Sequence, residues 1–175
     1  VASLLAAALS LVMLASGANL RAIFSFLLGG LDGATWPRLA AAALPLIAAT
    51  TLLALRGRAL AGFLLGDEAA QHLGVDVRRE RRIAVALASL ATAAAVALAG
   101  LIGFVGLVVP HLVRLAVGPD PRAVLPLSAI GGALLLLLAD TIARSIGVPV
   151  GVITALIGAP FLLWLLHRAR TGYAL

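Results

Sequence analysis

Residues 83–117 read IAVALASLATAAAVALAGLIGFVGLVVPHLVRLAV, thirty-five positions in which His111 is the only titratable group before Arg114. As one α-helix this stretch would run about 52 Å, far beyond a hydrocarbon core of roughly 30 Å. It must break inside. Gly100, Gly103 and Gly106, with Pro110 beyond them, are the natural place, because glycine tolerates unusual dihedrals and proline gives up a backbone donor. The stretch is expected to divide into a helix over 83–102 and a shorter one over 104–117. That division decides the fold, since it sets the side of the membrane on which every later segment emerges.

Further apolar segments of membrane length lie at 1–16, 39–55, 123–143 and 148–166, which with the broken pair makes six. The chain is 63% hydrophobic and only 11% charged, more apolar surface than a soluble domain of this length could bury. The expectation is an all-α integral membrane protein, a multi-spanning helical bundle. Arginine placement tests the break at 100–106. With it, Arg56, Arg58, Arg78, Arg79, Arg81, Arg82, Arg114, Arg122, Arg168 and Arg170 share one side, and Arg21, Arg38 and Arg144 the other. Ten against three satisfies the positive-inside rule, whereas an unbroken helix gives seven against six. The C-terminus is then cytoplasmic, and 17–37 and 144–148 are outside. Leu20 to Leu28 is expected as a short surface helix ahead of a Gly29-Gly30-Leu31-Asp32-Gly33 turn. The first segment is short and opens on Val1, which reads as an N-terminal truncation.

The net charge of +6 reports topology rather than nucleic-acid binding, since the arginines sit at segment ends and in short loops. All thirteen basic residues are Arg, and there is no Cys, so neither a disulfide framework nor a thiolate metal site is possible. Ten of the twenty charged side chains lie between Arg56 and Arg82, a cytoplasmic loop over 56–82. Inside it Gly66-Asp67-Glu68-Ala69-Ala70-Gln71-His72-Leu73-Gly74 has acids at its start and a glycine stop. That suits a short helix with its dipole complemented, a compact knob between two spans. Taken by itself, the same stretch reads equally well as a solvated connector.

A series of motifs runs in order through the chain: Leu65-Gly66-Asp67-Glu68-Ala69-Ala70 with Leu73-Gly74-Val75, then Ala99-Gly100-Leu101-Ile102-Gly103-Phe104-Val105-Gly106-Leu107-Val108-Val109-Pro110-His111. Gly118-Pro119-Asp120, Leu125-Pro126-Leu127-Ser128-Ala129, Leu138-Ala139-Asp140 and Ala143-Arg144 follow, and Pro149-Val150-Gly151-Val152-Ile153-Thr154-Ala155-Leu156-Ile157-Gly158-Ala159-Pro160-Phe161 closes the set. Together they resemble the C-terminal half of the FecCD-type permeases, the membrane subunits of ABC importers for iron-siderophores, haem and cobalamin. The upstream Leu27-Leu28-Gly29-Gly30-Leu31 and Trp36 are similar to the family's external turn. The resemblance implies about six helices of a ten-helix permease domain, paired with a second copy or a close relative. It also implies a cytoplasmic ATPase dimer below, an extracytoplasmic substrate-binding protein above, and a cytoplasmic (inner) membrane location. ATP would act through the ATPase, with no cofactor or metal held by the permease. In such a permease the segment Gly66, Asp67, Glu68, Ala69, Ala70, Gln71, His72 and Gly74 leads the short helices that fit a cleft on the ATPase.

Asp140 and Arg144 stand four apart near a helix end, so they share a face and can pair. The resemblance places at Arg144 an arginine that meets acidic residues of the binding protein. Only Ser145-Ile146-Gly147 separates it from Val148-Pro149, fewer residues than is usual in the family. His111 lacks a partner at ligand spacing and is expected as a hydrogen-bonded structural histidine rather than a metal ligand. Asn19, Ser25, Ser128 and Thr154 could face a pathway or another helix. Gly158 and Pro160 are expected to serve close packing and a local kink.

Competing readings are a zinc- or manganese-type ABC permease, a non-functional permease fragment and an intramembrane enzyme. The last lacks support: the sequence carries no His-Glu-x-x-His, no Gly-x-Ser-x-Gly and no Walker loop.

Overall fold

In the computed structural model, which describes residues 20–72 and 74–171 together with Ala7 and Ser10, the described chain is helices joined by short turns, with no strand. The order is α1 (Leu20–Leu28), α2 (Trp36–Leu55), α3 (Gly57–Gly62), a 3-10 turn (Phe63–Leu65), α4 (Asp67–His72), α5 (Val77–Ala99), α6 (Val105–Val117), α7 (Pro121–Ile146) and α8 (Val150–Thr171). Four of these, α2, α5, α7 and α8 through Arg168, are long and apolar enough to cross a membrane, and α6 is a shorter apolar helix. The protein is a multi-pass membrane protein of all-α class. Apart from Ala7 and Ser10, the expected span over 1–16 lies outside the described residues, as does Asn19.

The boundaries follow local chemistry more closely than hydropathy does. α5 begins at Val77, not at Ile83, because the Asp76 carboxylate caps it by accepting a hydrogen bond from the Arg79 backbone N–H at 3.0 Å. The expected loop over 56–82 is therefore mostly helical, formed by α3, the 3-10 turn, α4 and the first two turns of α5. α7 begins two residues early for the same reason: Asp120 accepts from the Arg122 N–H at 2.9 Å and Pro121 occupies the first turn. It runs 26 residues to Gly147, whose left-handed φ of 72° closes the helix. α2 starts at Trp36 rather than at residue 39, and α8 at Val150, extending past 166.

The break in the long apolar stretch falls at 100–104, narrower than expected. Gly100 caps α5, and Phe104, at φ 64° the one non-glycine residue with positive φ among those described, opens α6. Gly106 and Pro110 lie inside α6 and break nothing. The carbonyl that the Pro110 ring would meet belongs to Gly106, where the backbone yields most easily. Among the described residues a Cβ at Gly103 or Gly106 would meet no atom within 4 Å. Gly100, Gly151 and Gly158 serve close packing: a Cβ there would overlap Phe26 O, Leu28 O and the Phe104 side chain respectively. Pro160 lies within α8, which continues through it.

α5 packs along α2, and α7 is flanked by α6 and α8. A small core of Ala139, Ala143, Val150 and Ile153 joins α7 to α8, with Ile102 and Val148 against it. Most large apolar side chains remain exposed, among them Leu44, Leu137 and Leu163. That is the surface a bilayer or further helices cover, and it is unlike the exterior of a soluble domain.

Candidate functional site

The bundle gathers its candidate residues at two ends. At one, the Arg56 guanidinium meets Glu80 Oε1 at 2.6 Å, joining the end of α2 to the start of α5. Gly57 sits where a Cβ would lie 3.2 Å from the Arg122 side chain at the start of α7. A cleft of about 370 Å³ at this end brings Leu60 and Leu64 beside Arg114, Pro119 and Val124. Two of the three arginine-bearing segments that the sequence assigns to one side, 56–82 and 114–122, are thus together.

α4 stands on this end as a separate short helix. A six-residue helix is not stable alone in water, so its order comes from anchorage. Gly66 (φ 93°) and Gly74 (φ 80°) bracket it in conformations that favour glycine. The Ala70 N–H bonds Gly66 O at 3.0 Å, Gly74 N–H bonds Gln71 O at 2.9 Å, and Val75 N–H returns to Ala70 O at 3.0 Å. Ala70 is fully buried, with its methyl against Gly62. Arg81 of α5 reaches both Asp67 carboxylate oxygens at 3.0 Å. Asp67, Glu68, Gln71 and His72 are all exposed. Acids in the first turn and His72 in the last complement the helix dipole. The arrangement presents a polar knob anchored to its neighbours, with an exposed ion pair to α5.

At the opposite end the Gly29–Gly33 turn is stitched to the rest of the fold. Gly30 N–H bonds Ala99 O at 2.9 Å, Leu101 N–H bonds Phe26 O at 3.0 Å, and Gly151 N–H bonds Gly29 O at 3.4 Å. Arg144 projects here. Its Nε donates to Asp140 Oδ2 at 2.7 Å, the pair expected from spacing, and its Nη2 lies 3.4 Å from Asp32 Oδ1. Spacing could not have revealed Asp32, which is brought in by the backbone bonds of the turn. Beside it, Leu27, Leu101, Phe104, Val152, Leu156 and Pro160 line an apolar cavity of about 580 Å³ at the α5–α6 break.

The remaining candidates lie within the bundle. His111 makes an edge-on ring contact with Phe161 at 5.6 Å between centroids, where a hydrogen bond was expected. Thr154 is buried and bonds Gly151 O at 3.1 Å. The Ser128 hydroxyl is buried with no hydrogen-bond partner among the described residues.

A helical bundle with one arginine-rich end, a broken central helix and a polar knob between spans is the architecture of a multi-pass membrane protein. The chain belongs to the FecCD transport family, whose family model matches residues 1–168. It is 48% identical over 169 residues to the cobalamin import system permease BtuC of Halobacterium salinarum, covering 95% of this chain and 46% of that protein. It is 41% identical over 156 residues to the hemin transport system permease HmuU of Yersinia pestis, covering 87% of this chain and 47% of that one. A solved metal-chelate type ABC transporter in an inward-facing conformation superimposes with a TM-score of 0.83 at 32% identity, over 95% of this chain and 56% of the solved chain. The chain spans about half the length of the curated relatives it matches.

Proposed function

We propose that the chain forms part of the membrane-spanning permease of an ATP-driven importer for metal chelates of the iron-siderophore, haem or cobalamin type. The observation that carries this reading is α4: an exposed, dipole-complemented helix pinned at both ends to the arginine-rich end of a FecCD-family bundle. A rigid knob converts closure of a partner into rigid-body motion of the helices it is fixed to, whereas a floppy loop would absorb it.

In this reading the surface of Asp67, Glu68, Gln71 and His72 docks on a separate cytoplasmic ATPase, which alone binds and hydrolyses ATP. The basic end and the C-terminus face the cytoplasm, on the ten-to-three arginine asymmetry. The end carrying Arg144 faces the extracytoplasmic binding protein, and a second permease copy or close relative completes the pathway. The membrane is the cytoplasmic one. Relatives acting on cobalamin and hemin support the chelate class without choosing within it.

Glu68→Arg in the intact transporter tests the assignment. Loss of ATPase assembly and of transport, with membrane insertion unchanged, is the expected result. Normal assembly and normal transport-coupled hydrolysis would refute it.

A further inference from the structure

The first two turns of α5 carry Arg78, Arg79, Arg81 and Arg82, four positive charges at the positive end of the helix dipole. That placement opposes the dipole, and like charges one turn apart repel. The acids nearby relieve it only in part, at Arg81 and at the cap. Asp67 is held by Arg81, Glu80 by Arg56, and Asp76 caps a backbone N–H. Arg78 and Arg82 have no carboxylate partner among the described residues.

Arg78 and Arg82 are four apart with Arg81 between them, and the same stripe continues into Val85 and Ala86, so all five line one groove of about 430 Å³. Val85 is 61% exposed. The opposite face of α5 is occupied: Glu80 is tied to Arg56, and the helix packs along α2. This open face of α5 therefore carries guanidinium groups at the start of the helix and apolar side chains one turn further along it. This order of chemistry along one helix matches that of a phospholipid, with a phosphate at the interface and acyl chain below it.

We propose that Arg78 and Arg82, with Arg81 at the margin, form a binding site for the headgroup phosphate of an anionic phospholipid, whose acyl chain lies along Val85 and Ala86. Guanidinium pairs hold phosphate oxygens through parallel charge-assisted hydrogen bonds. An anion there also meets the N-terminus of α5, so it offsets the repulsion and the unfavourable dipole contact together. Arg81 gives the site a link to α4 through Asp67. The inference stands independently of the transport reading, since it uses only α5 and its neighbours.

The test is lipid retention by the purified chain, counted by native mass spectrometry after exchange into mixed micelles of phosphatidylcholine and phosphatidylglycerol. Preferential retention of phosphatidylglycerol is expected. Each interfacial arginine contributes roughly a fivefold preference, so Arg78→Gln/Arg82→Gln should lower it at least fivefold, while Arg78→Lys/Arg82→Lys should keep most of it. Arg58→Gln removes charge from the same end outside the groove and should change it little. The proposal is overturned if the double glutamine variant retains phosphatidylglycerol as the parent does, or if Arg58→Gln loses as much, which would mean diffuse attraction without a site. Displacement of the lipid by millimolar inorganic phosphate would overturn it too, since the groove would then hold a free anion.

Discussion

Arg144 and Asp32, 112 positions apart in the chain, meet with Nη2 3.4 Å from Oδ1 at the end of the bundle opposite the arginine-rich one. Asp140 fixes the same guanidinium from within α7, and its side chain is only 18% exposed against 68% for Asp32. The two acids thus differ in kind: one is a short, half-buried partner on the same helix, the other a longer, exposed contact from a turn. Together the three groups carry a net charge of −1, so an acidic partner approaching Arg144 meets Asp32 as a competitor.

If Arg144 docks the binding protein, Asp32→Asn should speed association by about 3- to 10-fold at low ionic strength, and Arg144→Glu should slow it by at least as much, both effects shrinking with salt. Asp140→Asn should do much less. Association kinetics of the intact transporter with its binding protein at two salt concentrations check this. Unchanged association in Arg144→Glu would reduce the arginine to a helix-end ion pair.

A second relationship bears on stability. Glu80 is 17% exposed, its Oε1 bonded to Arg56 and its Oε2 buried without a hydrogen-bond partner among the described residues. Removing Arg56 would leave a half-buried carboxylate with nothing to offset its desolvation. Arg56→Ala should therefore cost about 1–3 kcal/mol, and Glu80→Gln in the same background should recover part of the loss. Thermal unfolding of the single and double variants in detergent measures the non-additivity. Equal, additive losses would show that the pair is not coupled.

The knob invites a backbone test. Gly74 has φ 80° and donates its N–H to Gln71 O at 2.9 Å. Proline fixes φ near −65° and has no N–H, so Gly74→Pro should unseat the end of α4 while leaving the spans intact. Loss of assembly with the ATPase, with unchanged helical content by circular dichroism, is expected. Retained assembly would show that α4 need not be rigid.

Much of this architecture was legible in the chain, for different reasons at different places. Leu20–Leu28 and the Gly66–Gly74 knob carry their own start and stop signals, and both fall where the sequence puts them. The Asp140–Arg144 pair follows from helical spacing alone. Hydropathy misplaced the start of α5 by six residues, because the arginines after Asp76 look like loop to a hydrophobicity count and like a capped helix to the backbone. Pro110 misled in the opposite direction, since its tolerance depends on Gly106 one turn earlier. Asp32 and the Arg56–Glu80 pair were invisible: each joins segments whose approach is set by tertiary packing, which no local pattern encodes.

The tightest such approach is Gly158 beneath Phe104. A Cβ at 158 would overlap the Cβ and ring of Phe104, and Phe104 cannot easily retreat, since its φ of 64° opens α6. A left-handed non-glycine residue costs about 1–3 kcal/mol, so the break holds a strained residue in place by packing it on a glycine. Gly158→Ala should destabilise the protein by about 1–3 kcal/mol through overpacking. Phe104→Gly should relieve the backbone strain but lose the ring contact. The decisive variant combines them: with the ring gone, Ala at 158 has room, so Phe104→Gly/Gly158→Ala should be no less stable than Phe104→Gly alone. Thermal unfolding followed by Trp164 fluorescence, on the same helix as Gly158, reads all three. If Gly158→Ala costs as much without the ring as with it, the glycine serves the α8 backbone itself rather than the α5–α6 break.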